Sequence, residues 1–173
     1  IRFLIWDAGG TLFDTYPSAA LAFRKAINDF GHDAPLDWIE GLARHSLGYC
    51  TKALAREFGL DPADVKAKFL YHYERIPAEQ QPPFLGVIDI CAYICDTNAD
   101  RCLGKNFIIT HRWRSSLLEL LKTHHMLHYF TDYITMEDDY PRKPDPTSTK
   151  ALIEKYALER EAVLAIGDRT LDV

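Results

Sequence analysis

The feature that most constrains this chain is its opening, Ile1-Arg2-Phe3-Leu4-Ile5-Trp6-Asp7-Ala8-Gly9-Gly10-Thr11-Leu12-Phe13-Asp14. An apolar run of this length, bounded by a turn signal, predicts a short buried strand. It ends on a carboxylate, Asp7, which is costly to hold at the tip of a buried strand without a cation or hydrogen bonds. Glycines beside it let backbone groups approach a ligand closely. Together these point to chemistry on a phosphate, with Asp7 as nucleophile or metal ligand; the competing reading is an ordinary Asp-Gly turn.

Three later segments bear on that choice. Phe107-Ile108-Ile109-Thr110 is a second apolar run, ending on a hydroxyl. Arg142-Lys143-Pro144-Asp145-Pro146 places a lysine in a proline-bounded loop ahead of a predicted helix. Val163-Leu164-Ala165-Ile166-Gly167-Asp168-Arg169-Thr170-Leu171-Asp172 is a third apolar run, ending on two carboxylates. Ligands of open parallel sheets sit at the carboxyl ends of the strands, so Asp7, Thr110, Lys143, Asp168 and Asp172 converge on one site if these strands share a sheet.

Helical spacing fills the interval after Asp14. The pattern predicts helices over 16–30, 36–42, 51–58 and 62–73, with Ser18 as a cap and Gly31, Gly48, Gly59 and Pro77 as punctuation. No strand is expected there, so residues 15–81 read as an all-helical cap, an insertion that excludes water and selects substrate. Residues 1–14 and 82–173 read as the core, with a helix striped by Val87, Ile88, Cys91 and Ile94, a polar connection from Asp96 to Asn106, a helix over 115–123, a strand within 129–136 and a helix over 147–156. Strands alternating with helices predict an α/β, doubly wound, parallel-sheet core of Rossmann type.

The order of these motifs resembles the haloacid dehalogenase-like hydrolase superfamily, over nearly the whole chain. The resemblance implies an α/β core with an inserted helical cap and a Mg²⁺-dependent hydrolase of a small phosphorylated metabolite. Asp7 would be the nucleophile that becomes an aspartyl-phosphate. Thr110, with Gly10, would hold phosphoryl oxygens, Lys143 would neutralise phosphate and carboxylate charge, and Asp7, the Gly9 carbonyl, Asp168 and Asp172 would bind Mg²⁺. One departure matters. Phosphatases of this superfamily usually carry Asp-x-Asp-Gly-Thr, whereas this chain has Asp7-Ala8-Gly9-Gly10-Thr11. The acid that protonates the leaving group and then activates water is replaced by Gly9, and positioned acid–base groups contribute about 10²–10⁴-fold in rate. Three readings follow: a slow hydrolase that prefers good leaving groups, a catalytically impaired phosphate- and metal-binding module, and a phosphonatase-like C–P hydrolase using a cap lysine, Lys52, as a Schiff base. A lysine on a helix is more often solvated. Dehalogenases of the superfamily work without a metal, which fits Asp168 and Asp172 poorly.

Other signals are weaker. Arg44, His45, Tyr49 and Lys52 are candidate pocket residues of the cap, and His111 and Arg112 border Thr110. His124, His125 and His128 cluster, but a structural zinc site needs four ligands, and a solvated helix end suits them better. A net charge of −5 argues against nucleic acid as partner, and no apolar run reaches the roughly 20 residues of a membrane span. Cys50, Cys91, Cys95 and Cys102 lack the spacing of a disulfide framework, consistent with a cytoplasmic setting. The chain starts inside a strand and stops just past its last motif, so the full protein is expected to be longer. Oligomeric state is open.

Overall fold

The computed structural model describes residues 1–95 and 104–172. Cys102, and most of the polar connection expected between Asp96 and Asn106, lie outside the described residues. The chain forms two compact units, Ile1–Asp14 with Pro82–Val173, and Thr15–Gln81.

The first unit is built on a four-stranded parallel sheet: β1 (Phe3–Trp6), β2 (Lys105–Ile109), β3 (Phe130–Ile134) and β4 (Val163–Ile166), in the order β3-β2-β1-β4. Every pairing is parallel, as the alternation of strands and helices predicts. All four β1 residues are buried, which explains a continuous apolar run in place of an alternating one. The two faces of β1 still point to different partners. Phe3 and Ile5 pack with Phe107, Ile109, Ile134, Leu152 and Leu158. Leu4 and Trp6 lie on the other face, in register with Asn106 and Ile108.

Asn106 is the polar hub of that second face, and it is fully buried. Its Oδ1 accepts from Trp6 Nε1 at 3.0 Å, and its Nδ2 donates to the Cys91 carbonyl at 3.0 Å and towards Cys95 Sγ and the Tyr129 carbonyl at 3.2 and 3.3 Å. It therefore sits inside β2, whereas the sequence predicts a connection ending there. Asn106→Leu is expected to destabilise the protein by roughly 1–3 kcal/mol for each buried group left unmatched. The check is a urea melt, whose midpoint falls at constant slope.

Around the sheet lie α5 (Val87–Cys95), α6 (Arg114–Thr123) and α7 (Thr147–Lys155). On α5, Val87 and Cys91 are buried, while Ile88 faces out. The second unit holds α1 (Tyr16–Asn28), α2 (Leu36–His45), α3 (Leu47–Phe58) and α4 (Pro62–Tyr73). Helix α1 packs against α2 and α4, with Phe23 stacked on Phe69 at 3.9 Å between ring centres. Ser18 does not cap α1. It lies inside the helix, and its hydroxyl donates to the Gln80 carbonyl at 3.0 Å. Gly48 does not punctuate either: Ser46 caps α3 by accepting from the Tyr49 N–H at 2.9 Å, so the helix starts earlier and takes Gly48 into its first turn. Gly59 ends α3 at φ +65°, the left-handed geometry that glycine adopts without strain.

Candidate active site

Strand order alone aligns the chemistry. The pairing Trp6↔Ile108 and Trp6↔Ile166 brings the ends of β2 and β4 to either side of Asp7. The Asp7 N–H donates to the Ile166 carbonyl at 2.8 Å, and the Thr110 N–H to the Ile134 carbonyl at 3.0 Å. Thr110 and the Gly167-Asp168 pair thus leave the same edge of the sheet as Asp7. A tight loop follows Asp7. Leu12 and Phe13 N–H groups donate to the Ala8 carbonyl, and Gly10, at φ +88°, donates its N–H to the Phe13 carbonyl at 2.8 Å. That bond commits the Gly10 amide within the loop, so Gly10 supplies the turn and not a free donor for phosphate.

Lys143 joins the carboxylates. Its ammonium is 2.5 Å from Asp7 Oδ1 and also bonds Asp172 Oδ1. These side chains are nearly inaccessible, at 11% for Lys143 and 4% and 2% for Asp7 and Asp172. Burial pushes the Asp7 carboxyl above its ordinary range, the Lys143 ammonium pulls it back, and the Asp172 carboxylate adds to the rise. Asp7, Asp168 and Asp172 each present an oxygen within 4.8 Å of the others. Among the described residues they are the only three such groups gathered as a possible metal set. Three carboxylate oxygens suit a hard divalent cation. Lys143 takes Oδ1 of Asp7 and of Asp172, while Asp172 Oδ2 accepts from the Arg169 N–H at 3.2 Å.

Asp172 does not lie one α-helical turn after Asp168. It sits in a 3₁₀ turn, Thr170–Asp172, whose N–H donates to the Arg169 carbonyl at 2.9 Å. The tightness of this turn gives Gly167 its reason. A Cβ there would overlap the Asp172 side chain, with Cγ at 2.5 Å and Oδ2 at 2.7 Å. Gly167→Ala is expected to displace Asp172 from Lys143 and to cost roughly 1–3 kcal/mol, the range for overpacking. Thermal melting should register that loss together with a weaker response to Mg²⁺.

Thr110 is buried at 4% exposure. Its Oγ1 accepts from the Arg112 N–H at 3.2 Å, which leaves the hydroxyl proton for an oxyanion. Two contacts were not legible in the sequence. The Thr11 hydroxyl donates to Asp168 Oδ1 at 3.2 Å, and Arg169 brings a guanidinium towards Asp7, with a buried Nε that has no hydrogen-bond partner. Beside the carboxylates, a cleft of about 100 Å³ is lined by residues including Thr110, His111, Tyr140, Arg142 and Lys143. Of the histidine cluster, His125 and His128 are exposed past the end of α6, as a solvated helix end predicts, and His124 is half-buried. The His124 ring lies 5.7 Å from that of Phe13, and His128 lies 3.9 Å from Tyr129. Lys52 is exposed on α3, as on a solvated helix face.

The sequence profile of the haloacid dehalogenase-like hydrolases matches residues 4–173. The chain belongs to this family. Its similarity to a phosphoglycolate phosphatase of Photobacterium profundum is 30% identity over 186 residues, covering 100% of this chain and 77% of that protein. A phosphoglycolate phosphatase of Vibrio cholerae is 24% identical, over 100% of this chain and 78% of its own length. Among solved structures, a hydrolase from Streptococcus pneumoniae superposes with a TM-score of 0.72 at 29% identity, covering 99% of this chain and 84% of that one. A haloacid dehalogenase-like family protein from the same organism shares the fold, at a TM-score of 0.75 and 17% identity, over 99% of this chain and 78% of that one. The present haloacid dehalogenase-like protein is thus a hydrolase of phosphatase type. No helix among its described residues is long and apolar enough to cross a membrane.

Proposed function

We propose that this protein hydrolyses a small phosphorylated metabolite through an aspartyl-phosphate on Asp7, with Mg²⁺ in the Asp7–Asp168–Asp172 cluster. The observation that carries this reading is the buried Asp7–Lys143–Asp172 constellation at the carboxyl end of a parallel sheet. An Asp7 oxygen attacks phosphorus, the bond to the leaving oxygen breaks, and that oxygen takes a proton from water. Water then attacks phosphorus, releasing inorganic phosphate and restoring the carboxylate. Lys143 offsets the charge of nucleophile and phosphoryl group, and the Thr110 hydroxyl donates to a phosphoryl oxygen. A bound divalent cation supplies further charge neutralisation, held by Asp7, Asp168, Asp172 and the Gly9 carbonyl.

With glycine at position 9, no side chain there moves a proton. Substrates with good leaving groups, acyl or aryl phosphates, are therefore the favoured class, and the phosphoglycolate phosphatases among the relatives make a small carboxylated phosphate ester the natural comparison. Residues 15–81 are taken as the substrate-selecting cap. The free thiols of the buried Cys50 and Cys91 support a reducing, cytoplasmic setting.

The metal assignment is tested by thermal melting against Mg²⁺. Clustered carboxylates repel without a cation between them, so binding raises the melting temperature as Mg²⁺ increases. Asp168→Ala is expected to remove most of that rise, and any Mg²⁺-dependent activity, while leaving the fold intact at this exposed position. A full Mg²⁺ response in the variant would put the metal elsewhere.

A further inference from the structure

His111 follows Thr110 at the end of β2, and its ring makes a definite contact. The Nε2 atom accepts a hydrogen bond of 3.1 Å from the backbone N–H of Lys143, 32 residues further along the chain. The bond ties the Arg142–Pro146 loop to the sheet edge. It does so at the very residue whose ammonium bridges Asp7 and Asp172. A lysine stem is long and has many rotamers, so the place of its ammonium depends on where its backbone is held. The carboxylates hold one end of the side chain, and His111 holds the other.

We infer that His111 is a positioning residue, whose ring accepts the Lys143 N–H and so fixes the ammonium between the two carboxylates when phosphate binds. An acceptor role requires an unprotonated Nε2. Burial, with Lys143 and Arg142 close by, pushes the imidazole down to about 4, so the ring is neutral at neutral pH. Nothing in this role touches the reacting atoms; His111 acts through Lys143, and the inference rests on the reading of Lys143 given above.

A double-mutant cycle tests it, using hydrolysis of an aryl phosphate with Mg²⁺ by the wild type, His111→Phe, Lys143→Ala and the double variant. His111→Phe is expected to lower kcat/KM by roughly 10- to 100-fold, the cost of a misplacement of about 1 Å. His111→Gln returns an acceptor and should recover most of the loss. In the Lys143→Ala background, His111→Phe should change the rate by no more than about twofold. Additive losses, or a lower melting temperature with no such coupling, would make His111 merely structural and overturn the inference. A wild type that hydrolyses no phosphate compound defeats the functional reading instead, and the same four proteins are then titrated with inorganic phosphate. An affinity loss in His111→Phe that vanishes without Lys143 supports the role; equal losses in both backgrounds, or no phosphate binding by the wild type, overturn it.

Discussion

Asp7→Asn is expected to lower kcat by about 10⁶-fold, the scale of loss when the nucleophile of a covalent-catalysis enzyme is removed, and to raise the melting temperature of the metal-free protein. The first effect is chemical: the amide keeps the shape of the carboxylate but has no anionic oxygen to attack phosphorus. The second is electrostatic. The Asp7 carboxyl titrates above its ordinary range because burial outweighs the pull of Lys143. A group raised in this way favours the folded state below its ordinary pKa, and that contribution is lost as pH rises through the folded value. At neutral pH the protein therefore holds ionised Asp7 at a cost, and asparagine removes it while Lys143 keeps Asp172. Opposite signs for activity and stability mark a residue kept for chemistry. The checks are steady-state phosphate release and thermal melting without Mg²⁺. Turnover close to wild type would place the nucleophile elsewhere.

Gly9→Asp should raise kcat/KM for alkyl phosphates, which reports the phosphorylation step, by about 10²–10⁴-fold, the usual contribution of a positioned acid–base group. The backbone permits the change. The left-handed glycines are Gly10, Gly31, Gly59 and Gly86, and Gly9 is not among them. The gain should be much smaller on aryl or acyl phosphates, whose leaving groups need little protonation. Parallel kcat/KM measurements on both classes read this difference. Equal gains on both would show that leaving-group protonation does not limit the wild type. No activity before or after the change, with Mg²⁺ and phosphate still bound, would favour the binding-module reading.

Much of this site was legible because its carriers are local patterns. An apolar run that ends on a polar residue becomes a strand whose tip lies at the carboxyl edge of the sheet, and this holds for β1, β2 and β4, although only β1 and β2 are buried and β4 is exposed at Leu164 and Ala165. Parallel pairing then gathers the tips, which no single motif determines. What stayed hidden depends on contacts between distant residues. Asn106 reads as part of a polar connection because its burial is offset by bonds to Trp6, Cys91, Cys95 and Tyr129, which sequence spacing does not reveal. The reason for Gly167 is the Asp172 side chain folded against it. Gly10 reads as a phosphate cradle until its amide is found bonded to Phe13. His111 reads as a neighbour of Thr110 at the pocket, but its bond to the Lys143 N–H is hidden because the partner is a backbone group in a distant loop. Ser18 reads as the cap of α1 but lies inside the helix, bonded to the Gln80 carbonyl, and Gly48 reads as a break but falls in the first turn of α3, which Ser46 caps.

The most direct measurement follows from Gly9 itself. With no side-chain base at position 9 to activate water, breakdown of the aspartyl-phosphate is expected to be the slow step for an aryl phosphate, whose leaving group departs readily, and the intermediate should accumulate as a burst. Acid quenching during turnover of an aryl phosphate with Mg²⁺, followed by intact-mass and peptide analysis, is expected to find one phosphoryl group on the peptide containing Asp7. The adduct should be absent from Asp7→Asn and shorter-lived in Gly9→Asp. Turnover with no adduct at any quench time, or an adduct on a peptide lacking Asp7, would contradict Asp7 as the nucleophile.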